Sequence, residues 1–204
     1  MRRRKAEWNM SEKKQKPYIT IALIVVNCLV FLILSFLGNT NSSAFMAEHG
    51  AIYPPLILEE GEYWRLFTAM FLHFGARHLL NNMVLLGAAG SILEEAMGRG
   101  RFLLLYLLCG LGSSALSLFH MVKSGDYAVS AGASGAIFGI IGGLLIVVLL
   151  HRGRYQKLTK KGMLVMIALA LYYGISTSGV DNWGHVGGLV SGLVLTLLLY
   201  RKRS

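Results

Sequence analysis

Six apolar runs, each bounded by polar or basic residues, restrict the fold of this chain more than any other feature of its sequence. The first run is long enough to cross ~30 Å of hydrocarbon at ~1.5 Å per helical residue. The chain of 204 residues is 54% hydrophobic and has a mean hydropathy of +0.55, which excludes a disordered chain. We therefore predict an all-α membrane protein, a bundle of six transmembrane helices. The runs cover about residues 18–37, 78–96, 102–122, 129–150, 162–176 and 183–200.

The positions of the basic residues predict how these helices are oriented. Six spans place both termini on one side, and all but three of the 20 Lys and Arg residues then fall on that side. The exceptions are Arg65, Arg77 and Lys123. Because Lys and Arg are concentrated in cytoplasmic loops, this asymmetry predicts an N-in, C-in topology. The predicted organisation is a short basic cytoplasmic tail at 1–17, a six-span domain at 18–200 and a basic cytoplasmic end at 201–204.

The net charge of +10 does not indicate nucleic-acid binding. The basic residues stand in short clusters at helix ends, such as the predicted turn at 98–101 and the predicted loop at 151–161, and form no basic face of a folded domain. The two cysteines, Cys28 and Cys109, lie in apolar runs, with no Cys or His at ligand spacing. We therefore predict no disulfide, metal or cofactor. The first run lacks a cleavage pattern and is interpreted as a retained span.

Residues 38–77 differ from the apolar runs. They mix Pro, Asn, Ser, Glu and aromatic residues with apolar pieces too short to cross a membrane. We predict short helices that lie at the interface or dip into it. Trp64 and Arg65 fit this interfacial position.

Polar residues stand at the outer ends of spans 2, 4 and 6. Span 2 begins with His78 and Asn82, span 4 opens with Gly132-Ala133-Ser134-Gly135, and span 6 begins near His185. Polar groups inside a membrane are costly, and they are functional hypotheses by default. Three such groups at one depth indicate a single shared site.

Small residues predict that spans 4 and 6 pack closely. They recur every four positions, so they share one helix face. Such faces let two backbones approach, although glycine stripes occur in many helix bundles and alone say nothing about catalysis. The small residues are Ala131, Gly135, Gly139 and Gly143 in span 4, and Gly184, Gly188 and Gly192 in span 6.

Ser134 and His185 are the residue types of a nucleophile and its general base. An acyl-transfer site also needs donors for the developing oxyanion. His78 and Asn82 share one face of span 2, and the Ser134 N–H lies in the first turn of its helix, where N–H groups lack partners. Each residue also has an ordinary interpretation. A serine in a span often bonds to a carbonyl of its own helix, and a histidine or asparagine often ties helices together.

At these residues the sequence resembles the rhomboid family of intramembrane serine proteases. The resemblance extends over about residues 18–200, and its four short elements stand in the family's order on the expected spans. They match the family's WR pair, H-x-x-x-N, G-x-S-G and H-x-x-G motifs. The matching stretches are Trp64-Arg65, His78 to Asn82, Gly132 to Gly135, and His185 to Gly188.

The resemblance implies a catalytic dyad of Ser134 and His185 without an acidic third member. It also implies an oxyanion hole formed by His78, Asn82 and the Ser134 backbone. Phe138 stands where the family often has a tyrosine that stacks on the histidine. Glu94 resembles a structural glutamate, and His73 resembles a loop histidine. The residues expected to support the site are Gly132, Gly135, Phe138, Gly188, Trp64 and Arg65.

Asp181, four residues before His185, is either a triad acid or a helix N-cap. We favour the cap, because Asp is a preferred capping residue and would lie about one turn, ~5.4 Å, further out.

The expected function is hydrolysis of a peptide bond near the outer end of a substrate's transmembrane segment, without a cofactor. The expected partners are transmembrane proteins and the lipid bilayer, not nucleic acid. The expected location is a bacterial plasma membrane, with the site open to the extracytoplasmic side. One alternative is an inactive rhomboid-like factor that binds and routes membrane proteins. A transporter is a further alternative, but it should show an internal repeat with broken helices, and this chain shows none.

Overall fold

The structure is a computed structural model that describes residues 16–201, and most of these residues are helical. Most of the predicted tail 1–17 and residues 202–204 of the predicted basic end lie outside the described residues. The helices are α1 (Tyr18–Leu37), α2 (Ser43–Glu48), α3 (Pro54–Leu58), α4 (Arg65–Thr68), α5 (Gly75–Leu85), α6 (Ser91–Met97), α7 (Arg99–Ser124), α8 (Ser134–Leu150), α9 (Lys160–Ser176) and α10 (Asn182–Leu199).

Three of the described helices, α1, α7 and α10, are long and apolar enough to cross a membrane. The helices α8 and α9 have 17 residues each, at the lower limit of spanning length. In the predicted interfacial segment 38–77, the short helices α2, α3 and α4 are followed by a 3₁₀ turn at Ala69–Phe71. The expectation of short helices in this segment is confirmed.

The helix predicted for 78–96 begins earlier and is not uniform. It starts at Gly75 and continues through α5, a π-helical segment at Leu86–Gly90 and α6 to Met97. The π segment lies against α1, where a Cβ built at Gly90 would lie 3.1 Å from Thr20 Cγ2. Glycine therefore lets α1 approach this part of the helix. At Gly98, whose φ is 85°, the chain turns directly into α7, so Arg99 and Arg101 are helical and the predicted turn 98–101 is wrong.

The helix predicted from residue 129 begins only at Ser134. The residues before it are apolar, but their backbone groups bond to the first loop instead of to a helix. Ser130 forms an antiparallel bridge with Ile52, and the Gly132 N–H donates to the Ala69 carbonyl at 2.9 Å. Ala131 therefore precedes α8 and does not belong to its glycine face.

The basic loop predicted at 151–161 contains two short strands, a small exception to the all-α prediction. β1 (Arg154–Tyr155) pairs antiparallel with β2 (Leu158–Thr159). The last two residues of the predicted loop, Lys160 and Lys161, belong to α9. Thr159 ends the hairpin and caps α9, since its hydroxyl accepts the Gly162 N–H at 3.1 Å.

α8 lies at the centre of the bundle, and all of its residues from Gly135 to Val148 are buried. A helix that is apolar all round fits this position. A Cβ built at Gly188 of α10 would fall on the Gly135 carbonyl oxygen, and one built at Gly192 would fall on that of Gly139. The predicted close packing of these two glycine faces is confirmed. The matched order of these pairs also shows that α8 and α10 run parallel.

α7 completes this core and runs in the opposite direction. A Cβ built at Gly135 would meet Ser113 of α7, and one built at Gly139 would meet Cys109. Near the end of α7, the His120 ring stacks on Trp183 at the start of α10, with centroids 4.8 Å apart. The N-terminal ends of α8 and α10 therefore lie at one end of the bundle, beside the C-terminal end of α7.

Glu94 of α6 anchors the beginning of α1. Its side chain is 2% exposed, and its two oxygens accept the backbone N–H groups of Ile19 and Thr20 at 3.0 and 2.8 Å. The Thr20 hydroxyl also donates to Glu94, at 2.8 Å. First-turn N–H groups lack acceptors within their own helix, so Glu94 provides them from a neighbouring helix. These contacts agree with the structural role expected of Glu94.

The Glu94→Gln variant is expected to be less stable than the wild type. The substituted amide turns one acceptor into a donor, which leaves at least one α1 N–H without a partner, at a cost of about 1–3 kcal/mol. Thermal unfolding in detergent measures this loss. Glu95→Gln is the matched control, because the bond that the described structure gives Glu95 is an exposed one, from Gln156 at 3.3 Å. Equal melting temperatures for the two variants would contradict the anchoring role.

Candidate active site

Ser134 is the first residue of α8, and a non-helical segment leads to it. Gly132 has a φ of 144°, in the range that favours glycine, and this conformation turns the chain into the helix. A Cβ at this position would lie 2.9 Å from Cε1 of His78. Gly132 is therefore needed both for its conformation and for the space that it leaves to the His78 ring. The Ser134 N–H belongs to the first helical turn, whose N–H groups have no acceptor within the helix.

His185 lies in the first turns of α10, facing the start of α8. Asp181 caps α10, because its Oδ1 accepts the Gly184 N–H at 2.8 Å. His185 Nε2 lies 3.0 Å from Ser134 Oγ, within hydrogen-bonding distance. The glycine contacts between α8 and α10 permit this approach of two residues that are 51 positions apart in the sequence.

Phe138 packs against one face of the His185 ring. Its ring stacks on His185 with centroids 4.2 Å apart and an angle of 13° between the planes. Phe138 lies one helical turn after Ser134, so α8 contributes both the hydroxyl and the stacking ring. The His185 Nδ1 atom is buried and has no hydrogen-bond partner among the described residues. No acidic side chain in residues 16–201 is hydrogen-bonded to this nitrogen.

His78 reaches this site from α5, and Asn82 lies one turn further along the same helix. His78 lies beside Gly132, two residues before Ser134. Asn82 is 4% exposed, and its Nδ2 group has no hydrogen-bond partner among the described residues. Buried donors are almost always paired in folded proteins, so an unpaired one calls for a functional explanation. The structure thus brings residues of all three predicted helix ends together.

His73 lies in the loop before α5 and contacts both His78 and Ala133, the residue before Ser134. Its side chain is fully buried, its ring lies edge-on to His78 with centroids 5.2 Å apart, and its Nε2 accepts the Ala133 N–H at 3.4 Å. Burial, followed by the charge of His78, lowers the pKa of His73 to about 3. The imidazole is therefore neutral at pH 7 and can accept this bond.

Trp64 and Arg65 lie in the first loop, and the hydrogen bonds, ion pair and ring contact of Arg65 join residues of that loop. Arg65 is 3% exposed, and its guanidinium donates to the carbonyl oxygens of Ala47 and Ala51. It also pairs with Glu62 and lies over the Trp64 ring, 4.8 Å from the centroid. Ala51 precedes the bridge between the first loop and the segment before Ser134, so Arg65 supports the site indirectly.

Sequence reasoning missed two serines that bond to Asp181. Its Oδ2 accepts hydrogen bonds from Ser130 at 2.7 Å and from Ser117 of α7. The capping role favoured for Asp181 is present, but the carboxylate also gathers these hydroxyls. No sequence signal identifies either serine, because such residues are common at loops and helix interfaces. Within residues 16–201, no group of three or more His, Cys, Asp or Glu side chains is placed to hold a metal ion.

Taken together, the fold and this site define a helical membrane protein with a serine and a histidine within hydrogen-bonding distance at one end of its bundle. A family model described as the Rhomboid domain matches residues 60–202. The chain belongs to the rhomboid family. With three helices among the described residues long and apolar enough to span a bilayer, it is an integral membrane protein.

Three relatives illustrate this membership. The chain is 39% identical over 178 residues to Rhomboid protease GluP of Bacillus subtilis (strain 168), covering 87% of this chain and 34% of that protein. It is 37% identical over 166 residues to RHOMBOID-like protein 6, mitochondrial, of Arabidopsis thaliana, covering 80% and 52%. It is 34% identical over 143 residues to Putative rhomboid protease YdcA of Bacillus subtilis (strain 168), covering 70% of each. The chain thus spans only about a third to a half of the length of the first two of these relatives.

Proposed function

We propose that this protein is an intramembrane serine endopeptidase that uses a Ser134–His185 dyad. The observation that carries the proposal is the 3.0 Å distance between Ser134 Oγ and His185 Nε2. Ser134 Oγ attacks the carbonyl carbon of the scissile peptide while His185 Nε2 takes the hydroxyl proton. His185 then returns this proton to the leaving amine, and an acyl-enzyme remains on Ser134. A water molecule, deprotonated by His185, hydrolyses the acyl-enzyme and releases the second product.

The surroundings of His185 suit a general base that works without an acid partner. The Phe138 ring covers one face of the imidazole and fixes its plane. The oxyanion of the tetrahedral intermediate is stabilised by donors of the Ser134 backbone, Asn82 and His78. Asn82 Nδ2 supports this role, because it is a buried donor that has no partner in the described chain. The mechanism uses only groups of the protein and water.

The proposed topology has six spans: α1, the helix from Gly75 to Met97, α7, α8, α9 and α10. The short α8 supports this count, since it lies inside the bundle and need not match the lipid thickness by itself. The positive-inside rule then puts both termini in the cytoplasm and the dyad near the outer leaflet. The proposed setting is a bacterial plasma membrane, with the site open to the extracytoplasmic side.

The proposed substrates are transmembrane proteins cleaved near the outer ends of their helices. A carbonyl in an intact helix is shielded by its own hydrogen bonds, so the segment must unwind before Ser134 can attack. Small or helix-breaking residues near the cleavage site would permit this.

The test reconstitutes the purified chain in liposomes with a model transmembrane substrate that carries a Gly-Ala stretch near its outer end. We expect a fluorophosphonate probe to label the protein, and we expect mass spectrometry to locate the cleavage within that stretch. A wild-type protein that neither labels nor cleaves overturns the proposal in favour of the binding and routing factor.

The Asn82→Ala variant is expected to lower kcat by about 10²–10³-fold with little change in KM, because one oxyanion donor is lost. The melting temperature should not fall, since the variant removes an unpaired buried donor. Substrate turnover and thermal unfolding measure the two effects. Asn81→Ala is the matched control, because Asn81 is the exposed neighbour on the same helix. An unchanged kcat in Asn82→Ala would remove Asn82 from the oxyanion hole.

A further inference from the structure

One carboxylate, that of Asp181, connects three segments at the end of the bundle where the dyad lies. Its Oδ1 accepts the Gly184 N–H at 2.8 Å and so caps α10. Its Oδ2 accepts the Ser130 hydroxyl at 2.7 Å and the Ser117 hydroxyl of α7. Ser117 is 1% exposed, so this bond lies in the interior. The proposed function assigns no role to any of these groups.

Asp181 is bonded both to the helix that carries His185 and to the segment that leads to Ser134. On the α10 side, the Asp181 carbonyl accepts the His185 N–H at 3.1 Å, and the side chain fixes the first turn that carries His185. On the α8 side, Ser130 stands four residues before Ser134 in the non-helical segment that leads to it. The Ser130 backbone is bridged to Ile52 of the first loop, and its side chain is bonded to Asp181. Asp181 therefore joins the segment that leads to the nucleophile to the helix that carries the base.

We propose that Asp181 is a positioning residue that sets the distance between Ser134 Oγ and His185 Nε2, an inference that rests on the proposed function. Asp181 does not act as a third catalytic acid. Three donors already occupy its carboxylate, and His185 Nδ1 has no hydrogen-bond partner among the described residues. Misplacement of reacting groups by about 1 Å can cost about 10²-fold in rate, so a shared anchor for both groups has a large effect on turnover.

Four variants separate two functions of Asp181. The cap is its bond to the Gly184 N–H, and the anchor is its bonds to Ser130 and Ser117. Asp181→Ala removes both functions. Asp181→Ser keeps a capping hydroxyl but is too short to hold the two serines. Ser130→Ala removes the anchor and leaves the cap. Ser124→Ala is the matched control, because it deletes a hydroxyl at the end of α7 whose bonds among the described residues are within its own helix and the following turn. The readouts are the fluorophosphonate labelling rate of Ser134, kcat and KM for the transmembrane substrate, and the melting temperature.

For an active wild type we expect Asp181→Ala to lower the labelling rate and kcat by about 10–10²-fold, with KM within about twofold. We expect Asp181→Ser and Ser130→Ala each to lose about tenfold in kcat at a melting temperature close to that of the wild type. Adding Ser130→Ala to Asp181→Ala should cost nothing further, because the bond between the two residues is already absent. Ser124→Ala should behave as the wild type.

Two results overturn the inference while the proposed function stands. The first is wild-type labelling in both Asp181→Ala and Ser130→Ala. The second is full activity of Asp181→Ser with losses in Asp181→Ala that only follow a lower melting temperature, which would reduce Asp181 to a helix cap. A wild type that is itself inactive overturns the proposed function, and this inference with it.

Discussion

Replacing Ser134 by alanine is expected to abolish fluorophosphonate labelling and to lower substrate cleavage to background, a loss of about 10⁴-fold or more. The alanine retains the helix start and removes only the hydroxyl that lies 3.0 Å from His185 Nε2. The melting temperature should therefore change little. Gel fluorescence of the labelled protein and mass spectrometry of the cleaved substrate measure the two activities.

His185→Ala should lose activity to a similar extent, and the double variant should be no worse than either single one. The nucleophile and its base act as a unit, so their effects are not additive. Ser113→Ala is the matched control, since Ser113 of α7 carries a hydroxyl that lies close to Gly135 and has no proposed chemical role. Residual cleavage by Ser134→Ala, at the position cut by the wild type, would mean that another residue is the nucleophile.

Gly188→Ala is expected to damage both stability and activity. The added Cβ would fall on the carbonyl oxygen of Gly135, and backbone atoms on both sides leave no flexible side chain to move away. Such overpacking typically costs about 1–3 kcal/mol, and relief requires α8 and α10 to separate. Ser134 neighbours Gly135, and His185 lies one turn before Gly188, so this separation lengthens the dyad contact. We expect the labelling rate to fall by about 10²-fold.

Gly100→Ala tests whether the effect comes from the close contact and not from glycine as such. Gly100 lies in α7, and a Cβ added there would meet no described atom within 4 Å apart from the adjacent backbone of its own helix, so alanine should be neutral or stabilising by up to about 1 kcal/mol. Thermal unfolding and labelling rates of the two variants should thus change in opposite directions or by very different amounts. If Gly188→Ala matches the wild type in both measurements, the two helices are not as close as the structure places them.

Most of the helical pattern could be predicted because its causes are local. The helices begin and end at residue types that favour helix termini. Gly98, whose φ is positive, ends α6, and Asp181 caps the start of α10. The glycine spacing on spans 4 and 6 also predicted which faces meet, since residues four apart share a face. Whether all six runs cross the membrane stays a prediction, since only three described helices meet the length and hydropathy required.

The errors of prediction have nonlocal causes. Residues 129–133 are apolar and look like the start of a helix, but their backbone groups bond to Ile52 and Ala69 of the first loop. No property of the segment itself predicts those partners. Similarly, His73 lies in a loop as expected, but the sequence could not predict that its Nε2 accepts the Ala133 N–H.

By itself, the sequence determined which chemical groups are available and at which helix ends they stand. The limits of the apolar runs show that Ser134, His185 and Asn82 stand near helix ends. These limits can be read from the local sequence, without knowing which helices pack against each other. Only the tertiary structure decided that Ser134 and His185 lie 3.0 Å apart, that Asn82 Nδ2 has no partner in residues 16–201, and that Asp181 joins their two segments. These features depend on how far apart the helices lie and on their register. Glycine-to-carbonyl contacts between different helices set both quantities, and the pattern within any one helix does not contain them.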